Sequence, residues 1–337
     1  VSGQEYLSAV AIGVDVACRL ALATDIGPGE TGWLLTPLCG TFGAAAGAAR
    51  ALGLDAGATL NALGLAYAQA AGNGQATIDG ALAKRLQAGL ASKAGTMAAI
   101  MASVGITGAR QVFEGRRGFY AVYQRGAYDR GKILDALGER FEVTKLSYKP
   151  YPCCRWTHAA LEGALEARRQ GVTAERVRSI EIAVNRQAFN STGDPIEVKR
   201  RPRNVVDSQF SIPFAVAAAL TDGRVGLDHF SPASIVRPDL LALAGRIDVS
   251  VGSDWPADLV RSVSPARLRI ELDDGGTLET TVLRPSGGSD DPEVDSILRD
   301  KFVSCAATAG FGRAEAGQRL ALLESIPAAE DAAANVS

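Results

Sequence analysis

The hydrophobic period of this chain changes at Lys149-Pro150-Tyr151-Pro152, and that change divides what its two parts can fold into. Each proline lacks a backbone N–H and restricts the residue before it, so no helix runs through the segment. Upstream, apolar residues recur at helical spacing; downstream, short runs alternate apolar and polar residues. Hydrophobic residues make up 47% of the 337, enough to bury a sizeable core and to fill two domains.

Upstream of the break, Ser2 can cap a helix that carries Leu7, Val10, Ala11, Val14 and Cys18 on one face. Further helices are predicted over Thr41 to Leu52, Ala58 to Ala71 and Leu82 to Val104. They are apolar almost all round, which argues burial in a bundle. Gly43, Ala44, Gly47 and Ala48 on the second, and Gly89 and Gly95 on the fourth, are small enough for neighbouring helices to approach closely.

Downstream, a helix is predicted over Thr157 to Gln170, closed by Gly171, and Val177 to Val184 alternates with period two as a half-buried strand. A buried helix follows at Ser211 to Leu220, then strands at Ile247 to Val251, Ala266 to Leu272 and Thr277 to Leu283. Asp273-Asp274-Gly275-Gly276 supplies the hairpin turn between the last two. Helical patterning resumes at Asp291 to Ala306 and Gly317 to Glu324, ahead of an Ala/Asp/Asn-rich tail. The fold class is therefore α+β: a helical domain over 1–143 and 285–330, with a smaller α+β domain over 144–284.

Charge and motifs remove several functions. A net charge of −2 gives no field to hold nucleic acid. The local cluster Lys199-Arg200-Arg201-Pro202-Arg203 reads as a solvated loop or as a rim that attracts anions. Five cysteines at irregular spacing make neither a disulfide framework nor a zinc site, and fit a reducing cytoplasm. No stretch reads as a membrane span, and no signal peptide is evident at Val1. There is no P-loop, dinucleotide fingerprint or nucleophile elbow, and two histidines cannot build a multi-histidine metal site. No cofactor and no metal are expected.

The segment Lys149-Pro-Tyr-Pro-Cys-Cys-Arg-Trp-Thr-His158 is the most informative for chemistry. Two cations and one imidazole fall within ten residues, at a rigid turn entering a helix. Lys149 and Arg155 can hold carboxylates, helped by donors at the helix N-terminus, and His158 can shuttle a proton near neutral pH. The same histidine, on a helix with Leu161 and Leu165, equally fits a structural role. Cys153 and Cys154 read as packing residues.

This segment resembles a Lys-Pro-(Tyr/Phe)-Pro-Cys-Cys-Arg-x-Thr-His signature of the MmgE/PrpD family. Other stretches match in the same order: Gly32-Trp33-x-x-Thr36 with Gly40-Thr41-Phe42-Gly43-Ala44-Ala45, Ala83-Lys84-Arg85-Leu86-Gln87-Ala88-Gly89, Gln209-Phe210-Ser211-Ile212-Pro213-Phe214, and Asp300-Lys301-Phe302. The resemblance implies a helical domain, an α+β lid, a cleft where they meet, and a homodimer. It also implies reactions on small polycarboxylates: dehydration of 2-methylcitrate, decarboxylation of cis-aconitate or epimerisation of iminodisuccinate. Each passes through a carbanion-like or enolate-like species that cations stabilise. By carry-over, Lys84, Lys149 and His158 are the expected catalytic residues, and Thr36, Gln87 and Arg155 the expected substrate contacts.

Two departures qualify that carry-over. Leu34 stands where the family usually has a histidine after Gly-Trp, and leucine can neither move a proton nor donate a hydrogen bond. Gln87, where histidine is common, still hydrogen-bonds. The match also begins with the family's first domain well under way, so roughly its first hundred residues are expected to be missing. A partner subunit could supply them. The leading expectation is a hydro-lyase resembling 2-methylcitrate dehydratase, with an epimerase or decarboxylase, and an inactive remnant that binds a polycarboxylate or a partner, as alternatives.

Overall fold

The computed structural model describes residues 1–256, 259 and 264–336. It divides into two compact units, Val1–Leu146 with Ala314–Ser337, and Ser147–Arg313. Residues 285–313, assigned to the helical domain from the sequence pattern, group with the second unit.

The first unit is helical. Its long helices are α1 (Gly3–Leu22), α2 (Leu35–Ala51), α3 (Ala56–Tyr67) and α4 (Ala83–Ser103). Helix α1 begins with a capping box in which the Ser2 hydroxyl accepts from Glu5 N and the Glu5 carboxylate accepts from Ser2 N. Asp55 caps α3 by accepting from Ala58 N at 2.8 Å. Helix α2 packs on α1, α3 and α4, and at its crossings with α1 and α4 backbone meets backbone. A Cβ on Gly43 would lie 2.4 Å from the Gly13 carbonyl oxygen, and one on Gly95 would lie 2.3 Å from the Thr41 carbonyl oxygen. At the end of α2 nearer Phe42, aromatic side chains fill the core. Phe42, Phe119 and Tyr120 are fully buried, with Phe42 and Phe119 edge to face at 5.3 Å.

A buried guanidinium ties the rest of this unit to α1. Arg19 donates to Asp15 Oδ2 at 2.7 Å, to the carbonyls of Ile133 at 3.1 Å and Asp135 at 2.8 Å, and to the Arg140 carbonyl. Asp15 accepts from Glu142 N at 2.6 Å with its other oxygen. Every charge in the group has a hydrogen-bonded partner, which is what makes its burial tolerable.

The second unit carries a four-stranded sheet of β1 (Val177–Val184), β2 (Ile247–Val251), β3 (Ala266–Leu272) and β4 (Thr277–Val282), in the order β2-β1-β3-β4. The β1/β2 pair is parallel and the other two pairs are antiparallel. Ile180, Ile182 and Val184 are buried, as the period-two pattern requires. Val177 is also buried, one residue out of phase, because the pairing with β3 slips between Val177 and Ser179. Helix α5 (His158–Arg169) lies on β3 and β4 and packs against α6 (Ile212–Asp222), which in turn meets α7 (Pro238–Ala244). Gly163 lets α5 approach closely, since a Cβ there would sit 2.9 Å from both Leu268 Cδ1 and Thr280 Oγ1. Helix α8 (Val294–Thr308) follows the sheet in this unit, and α9 (Arg313–Glu324) falls almost wholly in the first unit.

The basic cluster near residue 200 is split: Lys199 and Arg200 turn inward, whereas Arg201 and Arg203 are exposed, as a solvated loop requires. Lys199 is buried and donates to the Ser191 carbonyl at 3.1 Å; Arg200 holds the Ile247 carbonyl and Asp248; Arg203 holds Asp207. No helix among the described residues is long and apolar enough to cross a membrane.

The glycine contacts give a paired stability prediction. Gly43→Ala should destabilise the chain by about 1–3 kcal/mol, because its methyl group has no room between two backbones. Gly89→Ala, in α4 with nothing within 4 Å of the added carbon, should stabilise by about 0.5–1 kcal/mol. Denaturant melts of the two variants should move in opposite directions; movement in the same direction would contradict the backbone packing described.

Candidate functional site

The Lys149–His158 segment folds as the entry to α5. Cys154 N donates to the Gln209 carbonyl at 2.8 Å, and the Gln209 amide donates to the Pro152 carbonyl at 2.9 Å, so the Pro-rich turn is pinned to the residues just before α6. A short 3-10 turn over Arg155–Thr157 then delivers His158 as the first residue of α5. Cys153 Sγ lies 3.0 Å from Thr157 Oγ1 in the interior, and burial pushes its thiol up to about 12. That leaves it without thiolate character, in keeping with the packing role expected of it.

Arg155 is an organiser of this region. Its Nη1 donates to the Ser286 carbonyl at 2.8 Å and its Nη2 to the Pro285 carbonyl at 3.0 Å. Nη1 also meets His158 Nδ1 at 3.0 Å. The loop that supplies these carbonyls is fixed in turn by Glu162, one helical turn after His158, whose two carboxylate oxygens accept from Ser286 N at 3.1 Å. Asp291 accepts from Gly287 N at 2.7 Å, and Tyr148 N donates to the Gly287 carbonyl at 2.7 Å. Gly287 has φ +86°, and a Cβ there would lie 2.5 Å from the Tyr148 carbonyl oxygen, so only glycine fits the crossing.

His158 is fully buried, with the Tyr151 ring edge-on at 5.1 Å. Burial, and next the positive charges of Arg155 and Lys149, press its pKa down to about 3. The imidazole is therefore neutral at pH 7. The sequence suggested a proton shuttle near neutrality; the fold instead holds a ring that resists a second proton. Its Nε2 is buried without a hydrogen-bond partner, although the nearby Cys153 carbonyl mildly favours a proton on the ring. Glu162 has its carboxyl pushed up by burial, against the pull of Ser286 and Arg155. Lys149 is exposed, and its carbonyl accepts from Lys301 Nζ at 2.7 Å.

The first unit places its expected site residues around the starts of α2 and α4. Thr36 is exposed in the first turn of α2, beside an open cavity of about 560 Å³. Small residues line it from Gly13, Gly43 and Gly47 to Ala88. Leu34 stands at the N-cap of α2 and offers no side-chain cap. Lys84 is half-buried in the first turn of α4. Gln87 spends its amide on the backbone of Asn73, accepting from Asn73 N at 3.0 Å and donating to the Asn73 carbonyl at 3.1 Å. Asn73 is bridged to Trp33, so Gln87 steadies the loop that leads into Leu34 and Thr36.

Glu162, Ser286 and Asp291 were not singled out from the sequence. Glu162 lies four residues after His158 on the helix predicted there, which was the one available signal. Ser286 and Asp291 join the group only through folding. Among the described residues no cluster of three or more histidine, cysteine or acidic side chains could hold a metal ion.

Residues 1–130 match the MmgE/PrpD N-terminal domain family, and residues 151–325 match the MmgE/PrpD C-terminal domain family. Among curated proteins, the chain is 28% identical over 324 residues to the cis-aconitate decarboxylase-like protein oryM of Aspergillus oryzae, covering 91% of this chain and 65% of that protein. It is 26% identical over 319 residues to a cis-aconitate decarboxylase of Aspergillus terreus, covering 88% and 63%. It is 25% identical over 283 residues to the human cis-aconitate decarboxylase, covering 82% and 56%. The chain thus spans less than two thirds of the length of these relatives.

The depressed basicity of His158 has a measurable consequence for stability. Between its folded value of about 3 and the unfolded value near 6.5, the unfolded chain binds the proton that the folded chain refuses. Its contribution is therefore complete above pH ~6.5 and is lost as pH falls, at about 1.4 kcal/mol per pH unit. Glu162 acts in the opposite sense just above the ordinary carboxyl range. Denaturant melts from about pH 6.5 down to about 5 should show this slope, and His158→Gln should flatten it. An equal slope in both proteins would contradict the assignment.

Proposed function

This chain belongs to the MmgE/PrpD family, and we propose that it is a lyase acting on a small polycarboxylate, breaking a bond adjacent to a carboxylate. The observation that carries the proposal is the Lys149–His158 segment. It joins an exposed lysine to an imidazole kept neutral and buried beside a guanidinium. Such a pairing suits a substrate that brings its own negative charge.

The relatives' names favour loss of CO2 as the first reaction to test, with loss of water from a 2-methylcitrate-like hydroxy acid second. In the first reaction, the C–C bond to the departing carboxylate breaks and its electron pair enters the conjugated system. CO2 leaves, and a proton is delivered to carbon. In the second, a proton alpha to a carboxylate is removed and hydroxide departs with a proton as water. Lys84 and Lys149 are the cations proposed to hold carboxylate charge as it shifts, with His158 at the reacting oxygen or carbon. No cofactor is needed in either scheme. A homodimer in the cytoplasm is part of the same proposal.

Leu34 favours a second reading, a polycarboxylate-binding chain that does no chemistry. It removes a titratable group from the loop that Gln87 steadies.

The folded protein should be mixed separately with cis-aconitate and with 2-methylcitrate, and the products followed by proton NMR and ultraviolet absorbance. The expected outcome is an unsaturated product from at least one substrate. Lys149→Ala and Lys84→Ala should each lower kcat/KM by about 100-fold or more. Unchanged spectra with folded protein would sink the lyase reading for these substrates and leave the binding reading standing.

A further inference from the structure

The arrangement around His158 fixes where its single proton sits. Arginine has five N–H donors and no acceptor. Arg155 Nη1 lies 3.0 Å from His158 Nδ1, so Nδ1 presents its lone pair. A neutral imidazole with a lone pair on Nδ1 carries its proton on Nε2. That Nε2 is buried and makes no hydrogen bond of good geometry among the described residues, although the Cys153 carbonyl nearby favours a proton on the ring.

We propose that Arg155 locks His158 in the Nε2–H form, making it a fixed hydrogen-bond donor for a substrate carboxylate or carbonyl oxygen rather than a proton-abstracting base. A buried donor that lacks a well-placed acceptor is costly, so an incoming oxygen that satisfies it is favoured. The donor would also strengthen its bond as negative charge grows on that oxygen in the transition state.

Arg155 and Glu162 are positioning residues in this scheme. Arg155 can hold the ring only while its guanidinium is anchored on the carbonyls of Pro285 and Ser286. Glu162 keeps Ser286 in place from the next turn of the same helix. The charges of Arg155, Lys149 and Lys301 oppose a second proton on the ring, while the acid one turn on, Glu162, is bonded to Ser286. The role as a substrate donor rests on the polycarboxylate reading above; the tautomer does not.

The chain has only two histidines, which makes the test direct. Histidine labelled with 15N reports for each ring nitrogen whether it bears a proton, and His158→Gln assigns the two rings. The expected spectrum has an unprotonated Nδ1 and a protonated Nε2 at His158, unchanged from about pH 5.5 to about 8. Arg155→Gln, whose amide can also accept, should release the lock, giving mixed tautomers and titration nearer 6.5. A protonated Nδ1, or wild-type titration in that range, would overturn the lock. Tricarballylate, a saturated tricarboxylate, then probes the donor role. Binding heat accompanied by a shift of the Nε2–H signal supports it. Binding heat with an unmoved signal removes the donor role and leaves the polycarboxylate reading intact. No binding heat counts against that reading and the donor role together, while the tautomer stands on its own spectrum.

Discussion

Each compact unit depends on a guanidinium that is spent on main-chain carbonyls. In the first unit Arg19 gathers the carbonyls of residues 133, 135 and 140 onto α1; in the second Arg155 gathers those of 285 and 286 onto the start of α5. Both bind segments more than one hundred residues away in the chain. A planar fork of fixed donors suits this work better than an ammonium, which offers charge without direction. Arg155 differs from Arg19 in one respect that matters for chemistry. Arg19 is neutralised by Asp15 at 2.7 Å, whereas Arg155 has a histidine ring at the corresponding distance and its acid, Glu162, bonded to the loop instead. The second clamp therefore transmits charge to a side chain that can do chemistry.

Much of the fold was legible in the sequence because period and punctuation agree. The strands over 177–184, 247–251, 266–272 and 277–282 follow from alternation and one hairpin turn, and the long helices from their apolar spacing. What escaped was set by tertiary pairing. The slip at Val177/Ser179 depends on β3, and the short helices at Phe119–Tyr123 and Arg130–Leu134 are too brief to show a period.

The candidate site was legible in its residues and much less so in their roles. The Lys149–His158 segment announces cations and an imidazole, but spacing cannot say that Arg155 would turn inward to main-chain carbonyls or that His158 would lose its basicity. Gln87 is a similar case. The family resemblance implied a substrate contact, and folding bonds both ends of its amide to Asn73. Burial and hydrogen-bond partners decide such roles, and neither is a local property of sequence.

The glycine contacts between α1, α2 and α4 act like the notches of a keyed joint. Because Gly13, Gly43 and Gly95 bring backbones together without intervening side chains, sliding one helix along another by a residue would drive a methyl group or a ring into a carbonyl. The axial register of the three helices is thereby fixed at points remote from their ends. Thr36 lies about two turns from Gly43, and Lys84 about three turns from Gly95. The placement of these two side chains is consequently set by residues that never touch them. A methyl group added at Gly95 would press on the helix that carries Lys84 roughly 16 Å farther along its axis.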